Sequence, residues 1–156
     1  MLFDMVLIVA VVSAGLGSGI FLAFSSGVMP GLRRADDPAY VAAMRGINIA
    51  VINPAFLLPI FLTPVLIGAA AVVAFISGAS TTGVLLLVGG ALFLIGGVLL
   101  TGARNIPLNN ALEASKGSDP ASARAAFDRP WRASNHVRTL LTLAGFAVAV
   151  AAAVLR

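Results

Sequence analysis

Trp131, Asn135, Arg138, Thr142 and Gly145 stand at i, i+4, i+7, i+11 and i+14, which puts them on one stripe of a single helix. Amides and a guanidinium at one membrane interface are donors that can surround one electron-rich oxygen, with the indole as an aromatic wall. Asn105 and Asn109 make a second pair at i, i+4, and Asn48 adds a third amide from an earlier segment. His136 is the only imidazole in the chain, and imidazole is the usual base near neutral pH. It is rotated about 100° from the Asn135 stripe, which counts against it. Arg138 allows two readings, snorkelling to the headgroups or facing the bundle interior, and the company of Asn135 favours the interior. Trp131 is either a stacking wall for an aromatic ligand or a residue of the interfacial belt.

Helices in lipid must position these side chains. Four apolar runs, residues 3–26, 54–77, 83–103 and 134–155, each reach the roughly 20 residues that cross a hydrocarbon core. A soluble domain of 156 residues does not carry 60% hydrophobic and 10% charged residues. The mean hydropathy is +1.04, and the runs are continuous where the strands of a β-barrel alternate. Helices, which satisfy their own backbone hydrogen bonds, remain. The expected fold is all-α: one domain over residues 1–156, a four-helix transmembrane bundle with short amphipathic helices in two cytoplasmic connections. Asp4 stands where a signal peptide has its basic region, so the first span is expected to be retained. The absence of cysteine excludes disulfides, thiolate ligation and dithiol redox chemistry.

The net charge of +4 has an address. Arg33, Arg34 and Arg45 lie between spans one and two, and Arg104, Lys116, Arg124, Arg129, Arg132 and Arg138 lie between or beside spans three and four. The turn over residues 77–82 has no Lys or Arg. The positive-inside rule therefore expects both larger connections in the cytoplasm and both termini outside, in a bacterial inner (plasma) membrane. The basic excess is topological and does not mark a nucleic-acid partner.

Small residues and prolines shape the spans. Gly15 and Gly19 give a close-approach motif in span one, and Gly83, Gly90, Gly97 beside Gly89, Gly96, Ala103 give span three a packing seam. Pro59 and Pro64 each remove a helix N–H and are expected to bend span two, with Thr63 a partner for the freed carbonyl of Ile60. Asp36-Asp37-Pro38 caps a helix expected over residues 39–52 along the membrane surface. The second connection is expected to hold two short helices, one opened by Asn105-Ile106-Pro107 and one by Asp119-Pro120 that ends at Asp128, with Pro130 starting span four.

Several segments, in order, resemble the DUF1772 family of small membrane proteins, which includes proteins described as anthrone oxygenases. They are Gly19-Ile20-Phe21-Leu22-Ala23-Phe24-Ser25 with Val28-Met29-Pro30, Met44-Arg45-Gly46-Ile47-Asn48, Asn53-Pro54-x-Phe56, Asn105-Ile106-Pro107-Leu108-Asn109, and Trp131-x-x-x-Asn135-x-x-Arg138-Thr139. The resemblance implies oxidation of an anthrone, a tricyclic aromatic ketone, by molecular oxygen to an anthraquinone without metal or flavin. One His, no Cys and six acids scattered along the chain, five of them outside the spans, fit that expectation, since they supply no 2-His-1-carboxylate or zinc set, and no GxGxxG follows a strand.

Oxygenation without a cofactor needs a base, a stabilised enolate and a dry pocket. On this reading Asn109, Asn135 and Arg138 are the catalytic set, with Arg138 stabilising the enolate oxygen, and Trp131, Asn48, Asn105 and His136 contact the substrate. The expected partner is a hydrophobic small molecule, with no metal and no cofactor. The alternative from another class is a non-catalytic protein that binds or transports a lipid or small hydrophobe. Transport would call for a homo-oligomer, because four short spans leave little room for a pathway. A structural subunit of a larger membrane complex is the third reading.

Overall fold

A computed structural model describes residues 2–155, and among them there is helix and no strand. Four helices are long and apolar enough to cross a membrane: α1 (Phe3–Leu32), α3 (Pro54–Ile76), α4 (Ser80–Ala114) and α5 (Pro120–Val154). A shorter helix, α2 (Asp37–Ala50), precedes α3. The long helices close a ring in which α1 packs on α3 and α5, and α4 packs on α3 and α5. The outer surface is studded with exposed Ile8, Val12, Leu16, Val65, Val72, Val84, Leu87 and Leu140, the face that lipid would cover.

Backbones approach closely because small residues line the seams. A Cβ on Gly145 would stand 2.7 Å from the Gly89 carbonyl, and one on Gly89 would stand 2.9 Å from the Gly145 carbonyl, so α4 and α5 meet backbone to backbone. Gly96 faces Leu141 on the same seam, while Gly90 faces Ile67 of α3. The expected motif in α1 needs correction: Gly19 meets nothing within 4 Å, and Gly17 is the close contact, 2.6 Å from the Pro59 carbonyl by the same measure. Around these seams Leu7, Ala10, Ala14, Ile67, Ala70, Ala74, Leu86, Phe93 and Ala149 form an apolar core.

Proline sets three departures from regular helix. α3 breaks at Leu62, between Pro54–Phe61 and Thr63–Ile76. Thr63 Oγ1 bonds the Pro59 carbonyl at 2.6 Å, one residue away from the Ile60 carbonyl anticipated, and receives the Ser13 hydroxyl at 2.6 Å. In α1 a π-helical turn, Phe24–Val28, stands just ahead of Pro30, with the Met29 N–H reaching back to the Phe24 carbonyl. In α4 a second such turn, Thr101–Asn105, stands just ahead of Pro107, with the Ile106 N–H on the Thr101 carbonyl. A proline ring clashes with the carbonyl four residues back, and widening the turn before it relieves the clash without ending the helix. A further π segment, Leu94–Leu99, lies a turn earlier in α4.

The spans are longer than their apolar runs. The two short helices expected in the second connection are the ends of α4 and α5, which run 35 residues each and turn back at residues 115–119. Pro130 lies inside α5 and does not start it. Ala126, whose carbonyl Pro130 releases, is exposed. At about 52 Å, α4 and α5 overshoot a hydrocarbon core of about 30 Å and build a second packed layer beyond it. There α2 does not lie free on a surface: Tyr40, Val41 and Met44 are buried against Met29, Leu112, Phe127 and Trp131.

Candidate functional site

A cavity of about 520 Å³ sits where the three helices leave regular geometry. Its α1 wall is Ile20, Phe21 and Phe24, at the π turn. Its α3 wall is Phe56, Leu57, Ile60 and Phe61, all ahead of the break. Its α4 wall runs from Thr101 and Asn105 through Asn109 to Glu113. Arg45 and Asn48 of α2 and Trp131 and Arg138 of α5 complete it. Ile52, Phe61 and Ile106 are exposed and line the cavity, so it has an apolar rim.

Arg138 is the centre of its polar side. Only 6% exposed, it donates from Nη1 to Thr101 Oγ1 at 3.0 Å and from Nη2 to Asn135 Oδ1 at 2.6 Å. The Phe21 ring lies 4.5 Å and the Trp131 ring 5.6 Å from its guanidinium carbon. Its Nε–H has no protein partner, and no carboxylate pairs with it among the described residues. Asn105, 1% exposed, is in the same position: its Oδ1 accepts from Ser134 at 2.7 Å, and its Nδ2 is unpartnered. Both unmet groups are donors, and both belong to residues on the cavity wall.

The expected site residues divide into three groups. Asn48, Asn105, Asn109, Trp131 and Arg138 come together around the cavity. Asn109 holds Trp131, accepting from Nε1 at 2.8 Å, so the indole is fixed as an aromatic wall beside Phe24, 5.7 Å away between centroids. Asn135 stands behind the wall: its Nδ2 donates to Ser25 Oγ at 2.7 Å and the Phe21 carbonyl at 3.2 Å, and its Oδ1 fixes Arg138. Expected in the catalytic set, it does not line the cavity and reaches it only through Arg138. His136 is exposed on the other side of α5 and does not line the cavity, a departure from its expected place at the substrate.

A family model for anthrone oxygenase matches residues 55–148. The chain belongs to the anthrone oxygenase family. The matched region holds the motifs Asn105–Asn109 and Trp131–Thr139, and with them the donors of the cavity. No curated protein and no solved structure matches the chain. Some wall residues of this family member were not marked as site residues by sequence. Phe21, Phe24, Phe56 and Arg45 sit inside the resembling segments, so their place in those motifs was the available signal. Glu113 follows Asn105 and Asn109 at i+8 and i+4, a face that spacing alone displays.

Arg45 ties the layers together, donating from Nε and Nη2 to the Leu112 carbonyl at 3.1 and 2.9 Å and from Nη2 to Ser115 Oγ at 2.9 Å. It thereby caps the last turn of α4 from α2. Farther out, Tyr40 donates to Asp128 Oδ1 at 3.0 Å, and Arg132 grips the same carboxylate with two bonds. The Tyr40 phenol is pushed well above its ordinary value by burial first, and then by the charge and hydrogen bond of Asp128. Asp119 caps α5, and the Ser122 backbone N–H holds its carboxyl below the usual range.

Proposed function

We propose that the protein oxidises an anthrone-like polycyclic aromatic ketone with molecular oxygen inside the membrane. The single observation that carries this reading is the pair of unmet buried donors, Arg138 Nε–H and Asn105 Nδ2, on a cavity with aromatic walls. A buried guanidinium without a carboxylate is costly unless something electron-rich meets it, and an enolate oxygen does so. The walls of Phe21, Phe24, Phe56 and Trp131 suit a planar ring system. A passive lipid site would need the apolar rim but not these donors.

In the reaction the substrate's methylene loses a proton, and the resulting enolate oxygen accepts hydrogen bonds from Arg138 and Asn105. The enolate carbon then gives electrons to oxygen and bonds to it, and loss of water leaves the second carbonyl. One oxygen atom ends in the quinone and the other in water, so the methylene is oxidised by four electrons and one O₂ is consumed. The residues place no requirement on a cofactor for these steps.

The test is oxygen uptake and quinone absorbance with emodin anthrone on the purified, folded protein. Arg138→Lys keeps charge but loses the planar fork, and with Asn135→Ala it should cut turnover about 10²- to 10³-fold. His136→Ala should turn over at the wild-type rate. Wild-type protein that does not accelerate the oxidation over buffer would overturn the proposal.

A further inference from the structure

Deprotonation of the substrate needs an acceptor, and we infer that Glu113 is the base. This rests on the oxygenase reading above. Three ionisable residues line the cavity, Arg45, Glu113 and Arg138, and the two arginines serve only as donors. His136, Tyr40, Asp128 and Lys116, which also have proton chemistry and lie nearby, are absent from the wall. Among the described residues Glu113 is therefore the one lining side chain that can take a proton.

Its place in the helix suits the task. Asn105, Asn109 and Glu113 share one face of α4, and residues 106–114 are regular α-helix, so Glu113 stands about 12 Å along the axis from Asn105. The carbonyl and methylene of an anthrone point opposite ways across its central ring. Oxyanion donors and base must then face each other across the short axis of the ring system, and Glu113 lines the cavity about two turns along α4 from Asn105. Arg45 bonds Leu112 and Ser115 on either side of Glu113 and so fixes the turn that carries it. Lys116 pairs with the half-exposed carboxylate, an ion pair that must open before the carboxylate takes a proton. In the step proposed, a Glu113 oxygen takes the methylene proton, and the C–H electron pair moves into the ring to form the enolate that Arg138 meets.

The experiment separates this step from oxidation. In D₂O without oxygen, wild-type protein should accelerate exchange of the methylene protons of emodin anthrone, read by mass spectrometry. Glu113→Gln should lose at least about 10²-fold in both exchange and aerobic turnover, and Glu113→Asp should recover part of each. Binding is followed by quenching of Trp131, the only tryptophan, and should be unchanged in Glu113→Gln. Wild-type turnover matched by Glu113→Gln would overturn the assignment and leave the oxygenase reading standing. Loss of Trp131 quenching or of thermal stability in both variants would make Glu113 structural, also against the inference. A wild-type protein that promotes neither exchange nor oxidation removes the reading on which it rests.

Discussion

Arg138 is held by neutral oxygens and aromatic faces, and this decides how its substitutions should behave. Replacing Arg138 with an apolar side chain of similar length removes the desolvation cost of a buried charge, while the buried Asn135 Oδ1 that loses its donor costs about 1–3 kcal/mol. With the two opposed, Arg138→Met should melt in detergent close to the wild-type temperature while turnover collapses. A large fall in melting temperature would instead make Arg138 a structural strut. Tyr40 gives a second residue-scale outcome. Because the unfolded phenol ionises near 10 while the folded one keeps its proton, its contribution is whole below pH 10 and is lost as pH rises toward the folded value. Tyr40→Phe should remove this alkaline loss of stability, checked by melting curves between pH 8 and about 11. The residues of the site were legible where periodicity reports them: Trp131, Asn135 and Arg138 share a stripe, and all are buried. That Asn135 supports while Asn105 faces the cavity was not legible, because it depends on which groups of α1 and α5 their amides meet.

At the scale of elements, glycines that look alike in sequence do different things. Gly145 and Gly17 lie against carbonyls that cannot move without their helices, whereas Gly19 faces open space. Gly145→Ala and Gly17→Ala should each destabilise by about 1–3 kcal/mol, and Gly19→Ala should be neutral, as measured by thermal melting in detergent. Gly90 faces Ile67 Cγ2 at 3.1 Å, farther than the carbonyl 2.7 Å from Gly145, so alanine there should cost less than at Gly145, and leucine more. Helix extents were the least legible feature. Apolar runs mark where lipid begins and ends, but α4 continues for about three more turns and α5 for about four, because their polar ends pack against α2 and each other. The π turns ahead of Pro30 and Pro107 are written in the sequence only as prolines, which equally well end a helix; whether they do depends on what packs beyond them.

For the whole molecule, the ring of four apolar helices followed from composition, and the cavity followed from where that ring is interrupted. Counting back from Val154, Arg138 lies about 24 Å along α5, so the donors sit near one boundary of a hydrocarbon core of about 30 Å. The same end holds Arg33, Arg34, Arg45, Arg104, Lys116, Arg124, Arg129 and Arg132, while the opposite turn at residues 77–79 has no basic residue. Basic residues in short connections are retained on the cytoplasmic side, so that end, with the cavity, should face the cytoplasm. Because the chain has no cysteine, single substitutions report topology without background. Ser77→Cys should react with an impermeant maleimide on intact cells, and Ser118→Cys, in the turn between α4 and α5, should react only after permeabilisation. The reverse pattern would place the basic end outside. The apolar rim at Ile52, Phe61 and Ile106 would then open toward the outer leaflet, and a hydrophobic substrate made inside the cell would have to cross the bilayer before reaching Arg138.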